Sequence, residues 1–519
     1  MDSALVEALS SLPPPPSKRG NSIAVSVRGE VAVLSEDRLY VVASPAGDSQ
    51  GDLVREVDID SKNLTGVHHI EFIIDYGDPK LLLWGDHRVG MVTFNSRTPQ
   101  SLKRIPATFT PLLKDYFRNM NPDQHIVHCS YHPESSRHIC VLLSLGPLLV
   151  VNAHEQTYES FQLDVRCSYS KFSFFRGRGW LRWTVCLLSA DGRISYLCPL
   201  IPRELRPSKD MLLDLEDWIS DVQNGANRIS EISEYVDCCS SFLRSISSNT
   251  STPSGQLYFP QLQGPLHVSN IHGKTIHDIV SLDLDGLDIP IIIAVTENGE
   301  VLSFVFTEEP CPLWTVNNCP PPCPLPEALL IEQISVRDAI PAGASALPKI
   351  ISEKSWLLKP DPLVHHAIHV IGQDSCSSFL ITLEWLPELM SLELSQHSLT
   401  SNFMRTSPST CVPVFANEGA DVTLSGVTIA ANPLFGHHAL FRSSLGMIAA
   451  VNLSVHLKLC SLTLRLSSTK KQIATNDALT EGVPVESLTI LTESLLKVVY
   501  EGISSTPSPS ASASSLDEV

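Results

Sequence analysis

The chain has 519 residues, of which 43% are hydrophobic and 18% are charged, so it is long enough to bury a substantial core. Its 37 basic and 56 acidic residues give a formal net charge of −19, which opposes long-range attraction to nucleic acid phosphates and anionic lipid. We therefore expect protein partners and no direct contact with nucleic acid.

Residues 1–20 form a Pro-rich leader, MDSALVEALSSLPPPPSKRG, which lacks the apolar core of a secretory signal. The thirteen cysteines show no disulfide framework, which predicts reduced thiols in a cytosolic or nuclear protein. The most apolar late stretch, residues 445–466, is interrupted by Asn452, Lys458 and Arg465. Polar groups at this density are costly in lipid, so we expect no membrane span.

Short runs of Val, Ile and Leu separated by turn residues begin at residue 21 and recur along the chain. In IIIAVTENGEVLSFVF (291–306), Asn298-Gly299 supports the positive φ angles of a tight hairpin. Paired strands of this kind favour an all-β fold with residues 21–495 as one β-propeller. The spacing is irregular and the Gly-His and Trp-Asp pairs of WD repeats are missing, so the propeller is divergent.

The hydrophobic period changes within residues 203–260. Apolar residues near helical spacing, with acidic residues between them, predict an α-helical insertion that Asn224-Gly225 divides into two helices. Its apolar face either packs on the propeller or binds a partner. The four candidate partner-binding residues on this face are Leu215, Trp218, Ile219 and Val222.

Residues 310–328 are too rich in proline for interior strands, because each proline removes a donor from the sheet. This stretch predicts a long surface loop. Two more strand groups occupy residues 364–394 and 439–468. Residues 496–519 contain too little apolar surface to offset the entropy cost of ordering, so we predict a disordered tail.

No pattern in the chain predicts catalysis. Phosphate-loop, dinucleotide-binding, nucleophile-elbow and zinc-protease motifs are all missing. Cys311, Cys319 and Cys323 lack the paired spacing of a zinc site, and the adjacent histidines at 365–366 and 437–438 are interpreted as turn and strand-end residues, together with His369. We therefore expect no catalytic, cofactor or metal site.

One basic and aromatic segment, FFRGRGWLRW (174–183), has the residue types that stack on bases and neutralise phosphates. The alternative is a strand end whose aromatic side chains fill the interface between two sheets. The net acidity of the chain favours the second interpretation.

The strand groups resemble a known family. GPLHVSNIHGKTIHDIVSLDL and IPIIIAVTENGEVLSFVF, residues 264–306, are similar to one blade of the nucleoporin 88 family, of the yeast nucleoporin 82 type. Similar segments at residues 131–151, 364–386 and 439–464 keep the family's order along the chain. The segment VPVESLTILTES (483–494) resembles the exit from the propeller.

The resemblance implies a seven-bladed propeller at the cytoplasmic face of the nuclear pore complex that supports export of messenger ribonucleoprotein and proteins. It implies docking of a nucleoporin 98-type C-terminal domain. Family members bind nucleoporins 214 and 62 through a coiled coil, and no sustained heptads follow Leu496, so we expect those partners only where a coiled coil is present. The insertion is longer than the family's connection. A propeller adaptor outside the pore and, less favoured, a propeller hydrolase remain as alternatives.

Overall fold

The computed structural model describes most of the chain between residues 3 and 458. The described ranges are 3–42, 54–73, 79–94, 104–164, 166–225, 230–247, 259–266, 274–282, 290–306, 309–314, 327–340, 347–387, 409–416, 422–432 and 436–458. The predicted tail at 496–519, the predicted propeller exit and most of the Pro-rich loop lie outside these ranges.

The first half of the ring begins with two four-stranded antiparallel meanders. Their strands are β1 (Ile23–Val25), β2 (Val31–Ser35), β3 (Arg38–Val42), β4 (Val54–Asp58), β5 (Val67–Phe72), β6 (Lys80–Gly85), β7 (Arg88–Phe94) and β8 (Arg104–Leu112).

Five separate sheets follow, of which the first four have four strands and the last has three. They are β9 (Ile126–His132), β10 (Ser135–Leu143), β11 (Leu148–Asn152), β12 (Thr157–Phe161); β13 (Tyr169–Phe174), β14 (Val185–Ser189), β15 (Ile194–Leu197), β16 (Leu262–Gln263); β17 (Ile276–Ser281), β18 (Ile291–Thr296), β19 (Glu300–Phe306), β20 (Ala328–Ser335); β21 (Trp356–Pro360), β22 (Ala367–Gly372), β23 (Ser377–Thr382), β24 (Thr410–Ala416); and β25 (Leu424–Asn432), β26 (Gly436–Ser443), β27 (Ile448–Asn452).

The helices include α1 (Ser3–Ser10), α2 (Ser61–Leu64), α3 (Lys114–Arg118), α4 (Lys209–Gly225), α5 (Ser230–Ser247) and α6 (Leu347–Ser352), with 3₁₀ turns at Leu181–Trp183 and Val336–Ala339. Residues 385–387 and 453–458 are also helical. The two helices that the periodicity predicts within the insertion are therefore present. The first of them is described as far as Gly225, and residues 226–229, which lie between the two helices, are outside the described ranges.

The sheets form a β-propeller-like ring, as the sequence predicts for an all-β fold. The first strands of neighbouring meanders lie side by side, for example β13 beside β9 and β17. The sheets are buried on both faces, so strands such as β18 and β22 are buried along their whole length. This explains why their sequences are continuous apolar runs rather than alternating ones.

The sheet count differs from seven separate blades. β4 pairs in parallel with β8, in the register Val57 to Ile105, and this pairing joins the first two meanders into one eight-stranded sheet. The described residues therefore form a ring of five separate sheets and one larger sheet.

The N-terminal strand closes the ring against the last sheet. The Ser22 N–H donates to the Ser425 carbonyl at 3.0 Å. The Asn21 side-chain oxygen accepts from the Val427 N–H at 2.9 Å, and the Asn21 carbonyl accepts from the Ile70 N–H at 2.9 Å. One residue thus connects the last sheet to the second meander.

A buried arginine in β26 strengthens this closure. Arg442 is fully buried and donates from Nη1 to the Leu34 carbonyl, and from Nη2 to the Pro13 carbonyl at 2.6 Å and the Ser35 hydroxyl at 3.2 Å. Burial lowers the pKa of Arg442 to about 10. The leader is joined to the same region, because Leu9 of α1 packs against Leu440 and other residues of the last sheet.

The Asn298-Gly299 hairpin has the predicted geometry, with φ of 76° at Gly299. A Cβ at this position would lie 2.8 Å from Cζ2 of the buried Trp356. Gly66 also has φ of 76°, but no atom lies within 4 Å of the corresponding position.

We expect Gly299→Ala to lower the free energy of unfolding by about 2–4 kcal/mol, since backbone strain is added to a clash with a packed ring. Gly66→Ala adds the strain alone and is expected to cost about 1 kcal/mol. Urea unfolding of the two variants measures the difference. Equal destabilisation would show that the Trp356 contact is not rigid.

Candidate functional site

The helical insertion is amphipathic in the way its sequence indicates. α4 and α5 pack against each other as a helical hairpin, and in the sequence they connect β15 to β16. Their outer face is rich in exposed carboxylates, which suits helices that are solvated on one side. These exposed acidic residues are Asp210, Glu216, Asp217, Asp221, Glu234 and Asp237.

The apolar face of the insertion packs on its own propeller. Leu215 is fully buried and Ile219 nearly so, in one core cluster with residues of the β13–β14 connection and the segment after β19. Trp218 and Val222 are half-buried at the edge of this cluster. The Trp218 ring meets Trp180 edge to face, with centroids 6.0 Å apart. Of the four candidate residues, Leu215 and Ile219 are therefore buried against the propeller, whereas Trp218 and Val222 remain partly exposed.

Two hydrogen bonds fix the insertion to the segment after β19. The Trp218 indole Nε1 donates to Glu309 Oε2 at 2.7 Å, and the Tyr235 hydroxyl donates to the Pro312 carbonyl at 2.8 Å. Buried donors of this kind need partners, and both acceptors lie at the start of the Pro-rich loop. The insertion and the described part of that loop are thus held together by hydrogen bonds and form one continuous surface.

We expect Trp218→Phe to lower the free energy of unfolding by about 1–2 kcal/mol, because it removes the bond to Glu309 from a partly exposed site. Trp218→Ala also removes the ring contact with Trp180, and its expected cost is about 2–4 kcal/mol. Chemical unfolding of the Trp218→Phe, Glu309→Ala and combined variants forms a double-mutant cycle. Additive effects in that cycle would contradict a direct contact.

The basic and aromatic segment does not present stacking platforms. Trp180 and Trp183 are fully buried, and Phe175 is buried against Phe306 with ring centroids 5.4 Å apart. Arg176 and Arg178 are exposed. The aromatic side chains fill the core beside the insertion, so the geometry favours the structural interpretation of this segment.

The interpretation as turn and strand-end residues holds for His437, the second residue of β26, but was wrong for His369, which lies within β22. Both are buried inside sheets, in β22 and β26, and each Nε2 donates to Asp361 Oδ2, at 2.9 and 2.8 Å. Burial alone would raise the pKa of Asp361, but the two imidazoles hold it well below its usual range. These side chains form a structural cluster between the last two sheets.

Charged side chains also line the inner strands of the ring. Lys171 of β13 pairs with Asp278 of β17 at 2.5 Å, and Lys359 of β21 donates to the Val427 carbonyl at 2.8 Å. Desolvation raises the pKa of Glu71 in β5 to about 7 and lowers that of Lys359 to about 8. Asp278 also accepts from the Leu358 N–H at 2.8 Å. Their partners belong to neighbouring sheets, which indicates a role in holding the inner strands together.

Among the described residues, no cluster of His, Cys, Asp or Glu has the geometry to hold a metal ion. Cys311 is buried beside the insertion, whereas Cys319 and Cys323 lie outside the described residues. Within the same ranges, no helix is both long and apolar enough to span a bilayer.

The fold is a β-propeller-like ring that carries a helical insertion, and solved structures with this fold are known. A chain of the crystal structure of the Chaetomium thermophilum heterotrimeric Nup82 NTD–Nup159 TAIL–Nup145N APD complex has a TM-score of 0.64 at 14% identity, covering 87% of this chain and 97% of its own. A chain of the yeast heterotrimeric Nup82–Nup159–Nup116 nucleoporin complex has a TM-score of 0.59 at 15% identity, covering 85% and 99%.

The resemblance to the nucleoporin 88 family, of the yeast nucleoporin 82 type, is thus confirmed at the level of the fold. No protein-family model and no curated protein sequence matches the chain. At this identity the likeness describes architecture, and the role of the protein is argued separately.

Proposed function

We propose that this chain is a non-catalytic docking subunit of the nuclear pore complex, situated at its cytoplasmic face and supporting export of messenger ribonucleoprotein and proteins. The observation that carries the proposal is the shared fold over almost the whole of the chains from two Nup82 complexes. The acidity of the chain and the inward-facing aromatic side chains of residues 174–183 support protein docking rather than binding of RNA.

The eight-stranded sheet is most simply counted as two blades, which gives the seven blades that the family resemblance implies. Each of its halves is a four-stranded antiparallel meander like the sheets that follow, and only the parallel pairing of β4 with β8 joins them. Both halves begin with a strand, β1 or β5, that lies next to the other in the ring.

The partner proposed for the propeller is a nucleoporin 98-type C-terminal domain. Both neighbouring structures are heterotrimers with two further nucleoporins, Nup159 with Nup145N or Nup116, which supports protein partners of this general kind. Contact through the insertion would use the half-buried Trp218 and Val222, while Leu215 and Ile219 hold α4 in place from within. Nucleoporins 214 and 62 would join only through a coiled coil.

Binding of the purified chain to a nucleoporin 98-type C-terminal domain, measured by calorimetry, tests the proposal. Val222→Asp is expected to weaken binding at least tenfold, since it places a charge at the edge of the docking surface. Val27→Asp is the matched control, because Val27 is 53% exposed in the β1–β2 turn. Equal affinity of both variants would remove the insertion from the interface.

Failure of the unmodified chain to bind any such domain would overturn the docking proposal itself. Tight RNA binding through Arg176, Arg178 and Arg182 would do the same. Proximity labelling in cells tests the location independently. An adaptor outside the pore would be surrounded by proteins other than pore components.

A further inference from the structure

A pocket with a basic rim lies on the second meander. Its cavity of about 450 Å³ opens beside the β6–β7 turn, between the start of β7, the end of β8, α3 and α2. We call it the β7–β8 pocket. This volume falls in the range of cavities that accommodate a ligand or a large side chain.

The floor of the β7–β8 pocket is apolar. Val89, Leu112 and Phe117 are buried beneath it, and the Phe109 ring lies across the backbone of Gly90, where a Cβ would come within 2.4 Å of that ring. The far end of the Phe109 ring therefore occupies the space that a side chain at position 90 would take, and glycine leaves this space open. An apolar side chain entering the pocket would bury surface against a preformed floor.

The rim of the β7–β8 pocket carries positive charge. Arg88 is half-buried and held in place by its Nη1 bond to the Lys62 carbonyl at 2.7 Å, while Lys114 and Arg118 are exposed on α3. Among the described residues that line the cavity, none is acidic. In a chain of net charge −19, this concentrates a local positive field over an apolar floor.

We propose that the β7–β8 pocket docks a short acidic segment of a partner protein, with one aromatic or aliphatic side chain on the floor and flanking carboxylates on Arg88, Lys114 and Arg118. Guanidinium groups bind carboxylates through paired hydrogen bonds, and an apolar anchor with a charged rim is the usual division of labour in peptide docking. A long polyanion such as RNA would meet the acidic remainder of the surface, so a short peptide is the better match.

This surface is distinct from the insertion. The pocket lies at the end of its sheet that carries the turn between the second and third strands, beside β6 and β7. The insertion packs against the connection between the first and second strands of its own meander, β13 and β14, which is the opposite end of a sheet. A partner on the insertion leaves the pocket free, so the two docking events are independent.

Fluorescence anisotropy with the full chain tests the proposal. The probe is a short labelled peptide with Phe or Leu at its centre and glutamates on both sides, and its control has glutamine in place of each glutamate. We expect saturable binding of the acidic peptide that weakens as ionic strength rises, and at least tenfold weaker binding of the glutamine peptide. The double variant Lys114→Glu, Arg118→Glu is expected to weaken binding of the acidic peptide at least tenfold.

The matched control is Arg137→Glu with Lys354→Glu, two exposed residues elsewhere that change the net charge equally. Circular dichroism of the variants excludes unfolding as the cause. No binding of either anchor peptide, equal loss in both double variants, or tighter binding of single-stranded RNA than of the peptide would overturn the proposal. Because the nucleoporin docking test uses another surface, either result can fail without the other.

Discussion

Replacing Arg442 with methionine is expected to lower the free energy of unfolding by about 3–5 kcal/mol, although the two side chains have similar length. The guanidinium donates to the Leu34 and Pro13 carbonyls and to the Ser35 hydroxyl from a fully buried position. Methionine fills the space but donates nothing, so the Leu34 carbonyl and the Ser35 hydroxyl lose this donor at roughly 1–3 kcal/mol each. The Pro13 carbonyl still accepts from the Ser35 hydroxyl at 2.9 Å.

Arg442→Lys is the conservative control. A lysine keeps the charge but has a compact ammonium instead of a planar fork, so it can reach only part of this acceptor set. We expect an intermediate loss for Arg442→Lys in urea unfolding. Amide hydrogen exchange should report faster opening of β1, β2 and β26 in the methionine variant than of β17 and β18. An unchanged unfolding midpoint would show that the ring closes without this contact.

Replacing Asp361 with alanine should cost about 3–5 kcal/mol at neutral pH. Its carboxylate accepts from His369 and His437 and from the backbone N–H groups of Leu363 and Val364, at 2.8–3.0 Å. Removing it leaves the two buried imidazole donors without an acceptor. Asp361→Asn keeps one oxygen and should cost less.

The Asp361 cluster also gives a pH dependence of definite sign. The pKa of Asp361 is lowered in the folded chain, so its contribution is present above the unfolded value of about 4 and lost as pH falls further. For His369 it is burial that lowers the pKa, so the contribution of this histidine is present above about 6.5 and lost as pH falls. Both terms predict loss of stability on acidification from neutral pH.

Thermal unfolding as a function of pH measures this effect. The Asp361→Ala variant should lose stability less steeply below pH of about 4 than the unmodified chain, because one titrating group is gone. Asp374→Ala is the matched control, since Asp374 forms an exposed ion pair with Arg19 and should cost less than about 1 kcal/mol. Equal effects of the two substitutions would contradict a structural role for Asp361.

Local features of the fold could be predicted from the sequence because they depend on neighbouring residues. The Asn298-Gly299 turn needs a positive φ that glycine allows, and the structure has it. The helical spacing of Leu215, Ile219 and Val222 likewise specifies an amphipathic helix without reference to the rest of the chain.

Features that depend on distant pairing could not be predicted. The parallel pairing of β4 with β8 could not be predicted from the alternation of apolar and polar residues. That alternation indicates which face of a strand is buried, but not which strand pairs with it. The cluster of His369 and His437 could not be predicted from neighbouring residues, because their common partner Asp361 lies 8 and 76 positions away along the chain. The β7–β8 pocket could not be predicted because four elements contribute to it, and none has a recognisable motif.

The closure of the ring by Ser22 and Ser425 has a consequence for biosynthesis. These residues are 403 positions apart, so the first sheet leaves the ribosome tens of seconds before its final neighbour exists, at about 5–20 residues per second. During that interval the inner edge of β1 and the carbonyls that Arg442 will bind lack their protein partners and are exposed to water. In such a nascent chain β1 has an exposed strand edge, with which other chains can pair. Production of this protein should therefore depend on chaperones that shield the amino-terminal sheet until translation passes residue 442.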